Sequence, residues 1–444
     1  MGWGRETGEF FFSDVRVTRR AAPDGRQRLG DCAMDGQDLI PERGRNARVL
    51  IYSHDTFGLG HLRRCRTIAH HLVEMNKNVT VLILTGSSII GSFDFRSRVD
   101  FVRVPGVIKL RNGDYTPLQL HIDIEETLAL RESIIRHTAN MFDPDLFIVD
   151  KEPLGLRGEV EDTLRLLRER GVPTVLGLRD VMDDPDLLEP EWERKNVMPA
   201  LMNLYDDIWV YGLPQIHDPL DGITVPASVR RRITYTGYLP REIAKDGHSY
   251  QTSKIESPYI LVTPGGGGDG EAMVDWVMRA YEMQDKQPHP ALIVLGPFMP
   301  QEKQSEFMDR AATLPDVEVI TFDAHLESLM DNAIGVVAMG GYNTFCEIMS
   351  FDKRALIVPR TRPRREQQIR ASRFMELGLV SMLDDAKSDD TKIMATALRH
   401  LPQQPKPSEV VVPGLMDGLV NVDRLARKWI ERPRRLLTLS EKRA

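Results

Sequence analysis

The chain has 444 residues, 41% of them hydrophobic and 28% charged, with a net charge of −7. That length exceeds one compact core and suits two domains of about 150–200 residues each. The acidic balance argues against general nucleic-acid binding. No apolar run approaches the roughly 18–20 residues needed to span a bilayer. Cys32, Cys65 and Cys346 have no metal-like spacing, so reduced thiols in a cytoplasmic protein are expected.

Residues 1–46 are rich in Arg, Gly and Asp and lack periodicity, which predicts a disordered extension or an over-long start. Phe10, Phe11 and Phe12 are not part of a longer apolar stretch, so no secretory signal is expected. Order should begin with a strand at 48–53, followed by Gly58 and Gly60, a helix from His61 to about Asn76 and a strand at 79–84. This is a βαβ unit. A strand at 146–149, a helix at 157–170 and strands at 174–178 and 207–211 complete a first domain, 47–240. The polar stretch within 241–257 reads as a linker.

A second alternating series, 258–402, opens with a strand at 258–262 and the glycines Gly265–Gly268. Helices are expected from about 271 and over 301–312 and 325–332. Strands are expected at 291–295, 317–321, 335–339 and 355–358. Residues 403–444 suggest a helix from about 416 to 431 and a basic tail (Arg432, Arg434, Arg435, Lys442, Arg443). The tail reads as a solvated helix end with at most peripheral membrane contact. Two such series predict an α/β protein of two facing, Rossmann-like, doubly wound parallel-sheet domains.

The strongest chemical signal is Gly340-Gly341-Tyr342-Asn343-Thr344-Phe345-Cys346-Glu347, between a strand and a helix. Glycines let backbone approach a ligand closely. The helix start offers free N–H groups and a partial positive charge to a diphosphate. Glu347, one turn in, could accept hydrogen bonds from a ribose, although a solvated helix face would look the same. After the next strand comes the run Pro359 to Ala371, with Arg360, Arg362, Arg364, Arg365, Glu366, Gln367 and Arg370 where doubly wound sheets bind ligands. Thr263-Pro264-Gly265-Gly266-Gly267-Gly268 could cradle phosphate or act as a hinge.

In the first domain, Gly58-Leu59-Gly60-His61-Leu62-Arg63-Arg64-Cys65 lacks the third glycine and the acidic strand end of a dinucleotide site. His61 is a candidate general base, because an unperturbed imidazole titrates near pH 6.5. His54 and Asp55 compete for that role, and a merely packing histidine is the plain alternative. Asp150-Lys151-Glu152 and Arg179-Asp180 follow strands and could line the cleft. Polar loops without function are the commoner case. Asp143-Pro144-Asp145 precedes a strand instead of ending one, which argues against a metal-binding Asp pair.

The positions Gly340, Gly341, Thr344, Glu347, Pro359, Glu366, Gln367 and Ala371 resemble the donor-site signature of family-28-like glycosyltransferases of the GT-B fold. That group includes the N-acetylglucosaminyltransferase that forms lipid II. The resemblance implies that Glu347 holds a ribose and that Gly341, Asn343 and Thr344 hold a diphosphate. It further implies that Glu366 and Gln367 hold the donor sugar, that Gly265–Gly267 flank the nucleotide, and that Gly58, Gly60, His61 and Arg64 face the acceptor. Arg364 or Arg365 would stabilise the leaving diphosphate. The family usually has Asn where this chain has Arg370.

The implied reaction is inverting, metal-independent transfer of a sugar from a UDP-linked donor to an acceptor hydroxyl on a lipid, glycan or small molecule. No cofactor is expected. One alternative is a nucleotide-sugar hydrolase in which His61 activates water, since Gly58, Gly60, His61, Arg64, Cys65 and Ala69 also resemble the hydrolases of nonulosonic acid synthesis. A second is a non-catalytic nucleotide-sugar sensor.

Overall fold

The computed structural model describes residues 46–54, 60–109, 114–243, 255, 258–266, 268–283, 286–323, 325–432 and 439–443. Expectations placed on residues 1–45, Asp55, Gly58, Gly267, most of the linker 241–257, Arg434 and Arg435 lie outside the described residues.

The first half runs β1 (Ala47–Ser53), α1 (Gly60–Met75), β2 (Val79–Thr85), β3 (Val99–Arg103), β4 (Val107–Lys109), β5 (Tyr115–Pro117), α2 (Ile124–Phe142), β6 (Leu146–Asp150), α3 (Glu161–Glu169), β7 (Thr174–Arg179), α4 (Pro185–Arg194), α5 (Val197–Asn203), β8 (Asp207–Tyr211), α6 (Ala227–Arg230) and β9 (Ile233–Tyr235). Its seven-stranded sheet has the order β3-β2-β1-β6-β7-β8-β9. All neighbours are parallel, while β4 and β5 form a separate antiparallel pair. Strands in such a sheet are covered on both faces and need unbroken apolar runs. Leu146-Phe147-Ile148-Val149 of β6 is such a run and is buried throughout.

Helix α2 has no counterpart in the sequence-based expectations. Its buried stripe is Thr127, Arg131, Ile135 and Ala139, so helical periodicity is present but half of it is polar. Asp123 caps its start by accepting the amide of Glu126 at 2.7 Å. Helix α3 begins at Glu161, not near 157, because Arg157 and Gly158 have φ of +49° and +96°, outside the right-handed helical region.

The second half runs β10 (Tyr259–Thr263), α7 (Glu271–Glu282), β11 (Ala291–Val294), α8 (Gln301–Ala311), β12 (Val317–Ile320), α9 (Leu326–Asn332), β13 (Ala333–Ala338), α10 (Tyr342–Ser350), β14 (Ala355–Ile357), α11 (Glu366–Glu376), β15 (Ser381–Met382) and α12 (Thr391–His400). Its six strands are parallel in the order β12-β11-β10-β13-β14-β15. The expected pair of doubly wound parallel sheets is therefore present.

The chain then returns to the first domain through α13 (Gly418–Ile430) and α14 (Leu439–Arg443). Asn421 Nδ2 donates to Thr236 O at 2.8 Å and Trp429 Nε1 donates to Asp207 at 2.8 Å. Asn140 Nδ2 donates to Lys442 O at 2.6 Å. The helix expected at about 416–431 is present as α13 and buries Leu419, Val422, Leu425 and Ala426 as a stripe. Among the described residues, no helix is long and apolar enough to cross a membrane.

Aromatic side chains join the two domains. Tyr238 stacks on Tyr342 with centroids 5.8 Å apart and meets the edge of Phe374 at 5.3 Å. Beside them, the buried Arg370 guanidinium makes two 2.7 Å bonds to Asp180.

Candidate active site

The carboxyl ends of the two sheets face a shared cavity of about 440 Å³. Arg179 at the end of β7 and residues after β1 (Gly60, His61), β10 (Gly265, Gly266), β13 (Gly341, Asn343) and β14 (Arg360) line it. The location follows from parallel-sheet geometry, which places loops and helix starts at one end of each sheet. Two glycines are required by close approach. A Cβ on Gly296, whose φ is +89°, would lie 2.4 Å from Gly265 O, so this glycine admits the Gly265–Gly266 loop. A Cβ on Gly340, φ +83°, would lie 2.8 Å from Ile357 and 2.9 Å from Phe345.

On the first-domain wall, α1 projects His61 and Arg64 onto Asp150 at the end of β6. His61 Nδ1–H donates to Asp150 Oδ2 at 2.5 Å. Arg64 clamps the same carboxylate through Nε at 2.7 Å and Nη2 at 2.5 Å. An ionised carboxylate only accepts, so the Nδ1 proton is fixed and Nε2 carries the free lone pair. Burial lowers the His61 pKa to about 4; the bond and charge of Asp150 oppose this, and Arg64 adds to it. Burial works against an ionised Asp150, but Arg64 and His61 outweigh it and hold the carboxyl below its usual range. His61 is therefore a neutral, oriented imidazole at the cavity. Asp150, expected among the polar residues that follow first-domain strands, thus pairs with both His61 and Arg64.

His54, the rival base, lies behind His61 with ring centroids 5.6 Å apart. Burial depresses its pKa to about 3, and its Nδ1 faces the Tyr52 hydroxyl at 3.3 Å. Tyr52 in turn donates to Glu159, which accepts Arg131 Nε at 2.5 Å. A buried network thus backs the dyad. Lys151, next to Asp150, has φ +66°, an uncommon conformation for a side-chain-bearing residue. Asp145 accepts the amide of Arg48 at 2.9 Å, and Lys442 lies 3.4 Å from Asp143, so this Asp pair serves the framework.

On the second-domain wall, α10 begins at Tyr342 with no side-chain cap, leaving its first-turn N–H groups toward the cavity. Gly341, Asn343 and Thr344 line the cavity, as do Gly265, Gly266, Glu366 and Gln367. Asn343 also ties the domains together, donating to Gly60 O at 3.0 Å and accepting from Arg241 at 2.8 Å. Gln367 Oε1 accepts the Arg360 amide at 3.0 Å. Arg360 also donates to Glu366 at 2.5 Å and contacts Asp269. Val294, Phe298, Phe322 and Leu326 form an apolar section of the cavity that the sequence reading did not identify.

Three expected donor-site residues sit elsewhere. Gly340 lies behind the cavity wall, where its carbonyl accepts Arg370 Nη1 at 3.1 Å. Glu347 is fully buried; Arg63 Nη2 lies 2.6 Å from its Oε1, an ion pair without hydrogen-bond alignment. Burial raises the Glu347 carboxyl to about 7, with Arg63 opposing and Glu327 reinforcing the shift. Arg364 is held outside the cavity by Asp183 at 3.0 Å and Glu191 at 2.6 Å. Its neighbour Arg365 pairs with Asp184 at 2.9 Å. These acidic partners come from the first domain, on a segment that the sequence reading passed over.

Residues 260–410 match the model of the glycosyltransferase family 28 C-terminal domain. No curated protein matches the chain by sequence. Among solved structures, the chain is similar to CalG4, the calicheamicin glycosyltransferase, with 14% identity and a TM-score of 0.56 over 87% of this chain and 98% of that one. It is similar to MurG of Acinetobacter baumannii, with 12% identity and a TM-score of 0.53 over 86% and 99%. It is also similar to UDP-GlcNAc 2-epimerase of Methanocaldococcus jannaschii, with 11% identity and a TM-score of 0.54 over 86% and 98%. The fold is GT-B.

Proposed function

We propose that this chain, which carries a glycosyltransferase family 28 C-terminal domain in a GT-B frame, transfers a sugar from a UDP-linked donor to an acceptor hydroxyl with inversion and without a metal. The coarse assignment, glycosyl transfer from a nucleotide sugar, rests on that domain and frame. The finer reading is carried by one observation: a neutral His61, oriented by Asp150, faces a cavity whose opposite wall is a helix N-terminus and a glycine loop.

In this reading the diphosphate lies on the first-turn amides of α10 and on Gly265–Gly266, where backbone dipoles stabilise the leaving charge. The apolar section around Phe298 and Phe322 takes the base. Glu366 and Gln367 face the sugar. His61 Nε2 accepts the acceptor's proton as its oxygen attacks the anomeric carbon, and the nascent imidazolium is stabilised by Asp150. Glu347 reaches the ribose once Arg63, which touches both the cavity and Glu347, is drawn aside. Charge neutralisation by Arg364 is not part of this reading. A cytoplasmic location and the absence of nucleic-acid partners complete it.

The test is thermal denaturation with UDP, GDP, ADP and dTDP and their sugars. A nucleotide at about 100 times its dissociation constant should stabilise by about 2.7 kcal/mol, with UDP giving the largest shift. No shift with any nucleotide would overturn the donor site. The fold is also that of UDP-GlcNAc 2-epimerase, so product analysis matters: free sugar released at full rate without acceptor would make the enzyme a hydrolase.

A further inference from the structure

Three first-domain cations stand at or near the cavity that His61 lines: Arg64 on α1, Lys151 after β6, and Arg179 ending β7. Two are neutralised. Arg64 holds Asp150, and Lys151 Nζ lies 3.3 Å from Glu152. Arg179 lines the cavity, its Nε is buried without a partner, and among the described residues no carboxylate is within ion-pair distance of it. The adjacent Asp180 is consumed by Arg370 and by the Tyr238 hydroxyl at 2.8 Å.

Across the cleft, the acid that Arg179 feels most is Glu366. Glu366 gives Oε1 to Arg360, and its buried Oε2 has no partner. Arg179 from the first domain and Glu366 from the second therefore line the same cavity. Burial, partly offset by Glu366, lowers the Arg179 guanidinium to about 10, a direction that a bound anion reverses. Arg179 is only partly buried and lines the cavity, so a ligand that carries a negative charge can reach its guanidinium and add to the effect of Glu366.

We propose that the cleft takes, at Arg179 and next to His61, an anionic substrate group, a carboxylate or phosphate monoester, distinct from the donor diphosphate. The proposal rests on the donor reading above, which seats the diphosphate on the opposite wall at α10. The charge belongs either to the transferred sugar or to the acceptor beside the attacked hydroxyl. Arg179 is a substrate-binding residue in both cases, and its planar fork suits two parallel hydrogen bonds to such a group.

Calorimetric titrations on wild type and Arg179→Gln decide it. Inorganic phosphate should bind wild type already saturated with UDP, and the variant should lose that site by about 10-fold or more, with its UDP affinity changed by less than about twofold. In a second arm, a UDP-uronate is compared with the matching neutral UDP-hexose. A preference of about 10-fold for the uronate, abolished in the variant, assigns the charge to the sugar. No uronate preference, with phosphate still bound, assigns it to the acceptor. The proposal is overturned if UDP-saturated wild type binds neither phosphate nor uronate selectively. It is also overturned if the variant loses UDP affinity in parallel, because Arg179 then serves the diphosphate. If UDP itself fails to bind, the donor reading falls, and phosphate binding to the ligand-free pair of proteins still decides whether Arg179 is an anion site.

Discussion

At the scale of single residues, the proposed base is His61, oriented by Asp150. His61→Ala should lower kcat by about 10²–10⁴-fold, the usual worth of a positioned base, while UDP affinity measured by calorimetry stays within about twofold, since His61 is assigned only to the acceptor. Asp150→Asn preserves shape but frees the Nδ1 proton and leaves Arg64 unpaired. A loss of about 100-fold or more in kcat is expected; an unaffected kcat would remove Asp150 from the mechanism. The depressed pKa of His61, about 4, keeps the base neutral well below the ordinary imidazole range. The acid limb of kcat/KM should therefore fall below pH 5.5, not near 6.5. Stability follows the same linkage. His54 and His61 have folded pKa values of about 3 and about 4, below the unfolded value, so the unfolded state binds protons first. Their contribution is fully present above about pH 6.5 and is lost as pH falls toward 4, by up to ~1.4 kcal/mol per pH unit for each group. Glu347, raised to about 7, acts in the opposite direction over the same range. Urea melts at pH 7, 6, 5 and 4 are therefore compared between wild type and His61→Ala, and an identical pH dependence would contradict the burial of this ring.

Among elements, α10 and the turn before it are the proposed seat of the donor. Gly340 is fixed in the left-handed region with two core side chains where a Cβ would go. Gly340→Ala should therefore destabilise by about 1–3 kcal/mol from strain and overpacking and weaken UDP by tilting the helix start. Chemical denaturation and a UDP titration measure the two effects, and a variant with wild-type stability would mean that the turn tolerates another conformation. Helix α10 also shows how one element serves two masters. Asn343 faces the cavity yet bonds Gly60 and Arg241, while Glu347 meets Arg63 of α1. The resemblance identified these residues as ligand-binding, and the fold adds that they fasten the domains.

For the whole molecule, the Arg370–Asp180 pair is an ionic link between the domains that is fully buried on both sides, with Tyr238 and Tyr342 beside it. Arg370→Met leaves Asp180 charged and without its cation inside the interface. The expected cost is about 3–5 kcal/mol, and adding Asp180→Asn should recover part of it because the stranded charge is removed. A double-mutant cycle by denaturation reads this coupling; additive single effects would show that the pair is not energetically linked. Arg364 and Arg365, held by Asp183, Asp184 and Glu191, are more exposed. They are expected to contribute less and to weaken with salt.

The alternation of apolar runs and glycine turns was enough to specify two parallel sheets, because strand burial and tight turns are written in neighbouring residues. The same local signals located His61 at a helix start, the α10 turn and the Glu366–Gln367 step, all of which reach one cavity. Helix α2 escaped because Thr127 and Arg131 occupy its buried stripe. Other features depended on which strands become neighbours. His61 meets Asp150 across 89 residues, since β1 lies beside β6, and Arg370 meets Asp180 across 190, since the two sheets face each other. No local pattern encodes such distances. The sequence by itself determined the two-sheet architecture and the residue types available at the carboxyl ends. Only the tertiary structure decided that Asp150 orients His61, that Arg364 and Glu347 are engaged in contacts between the domains, and that Arg179 is left facing the cavity, because ion pairing is settled by proximity after the sheets are assembled.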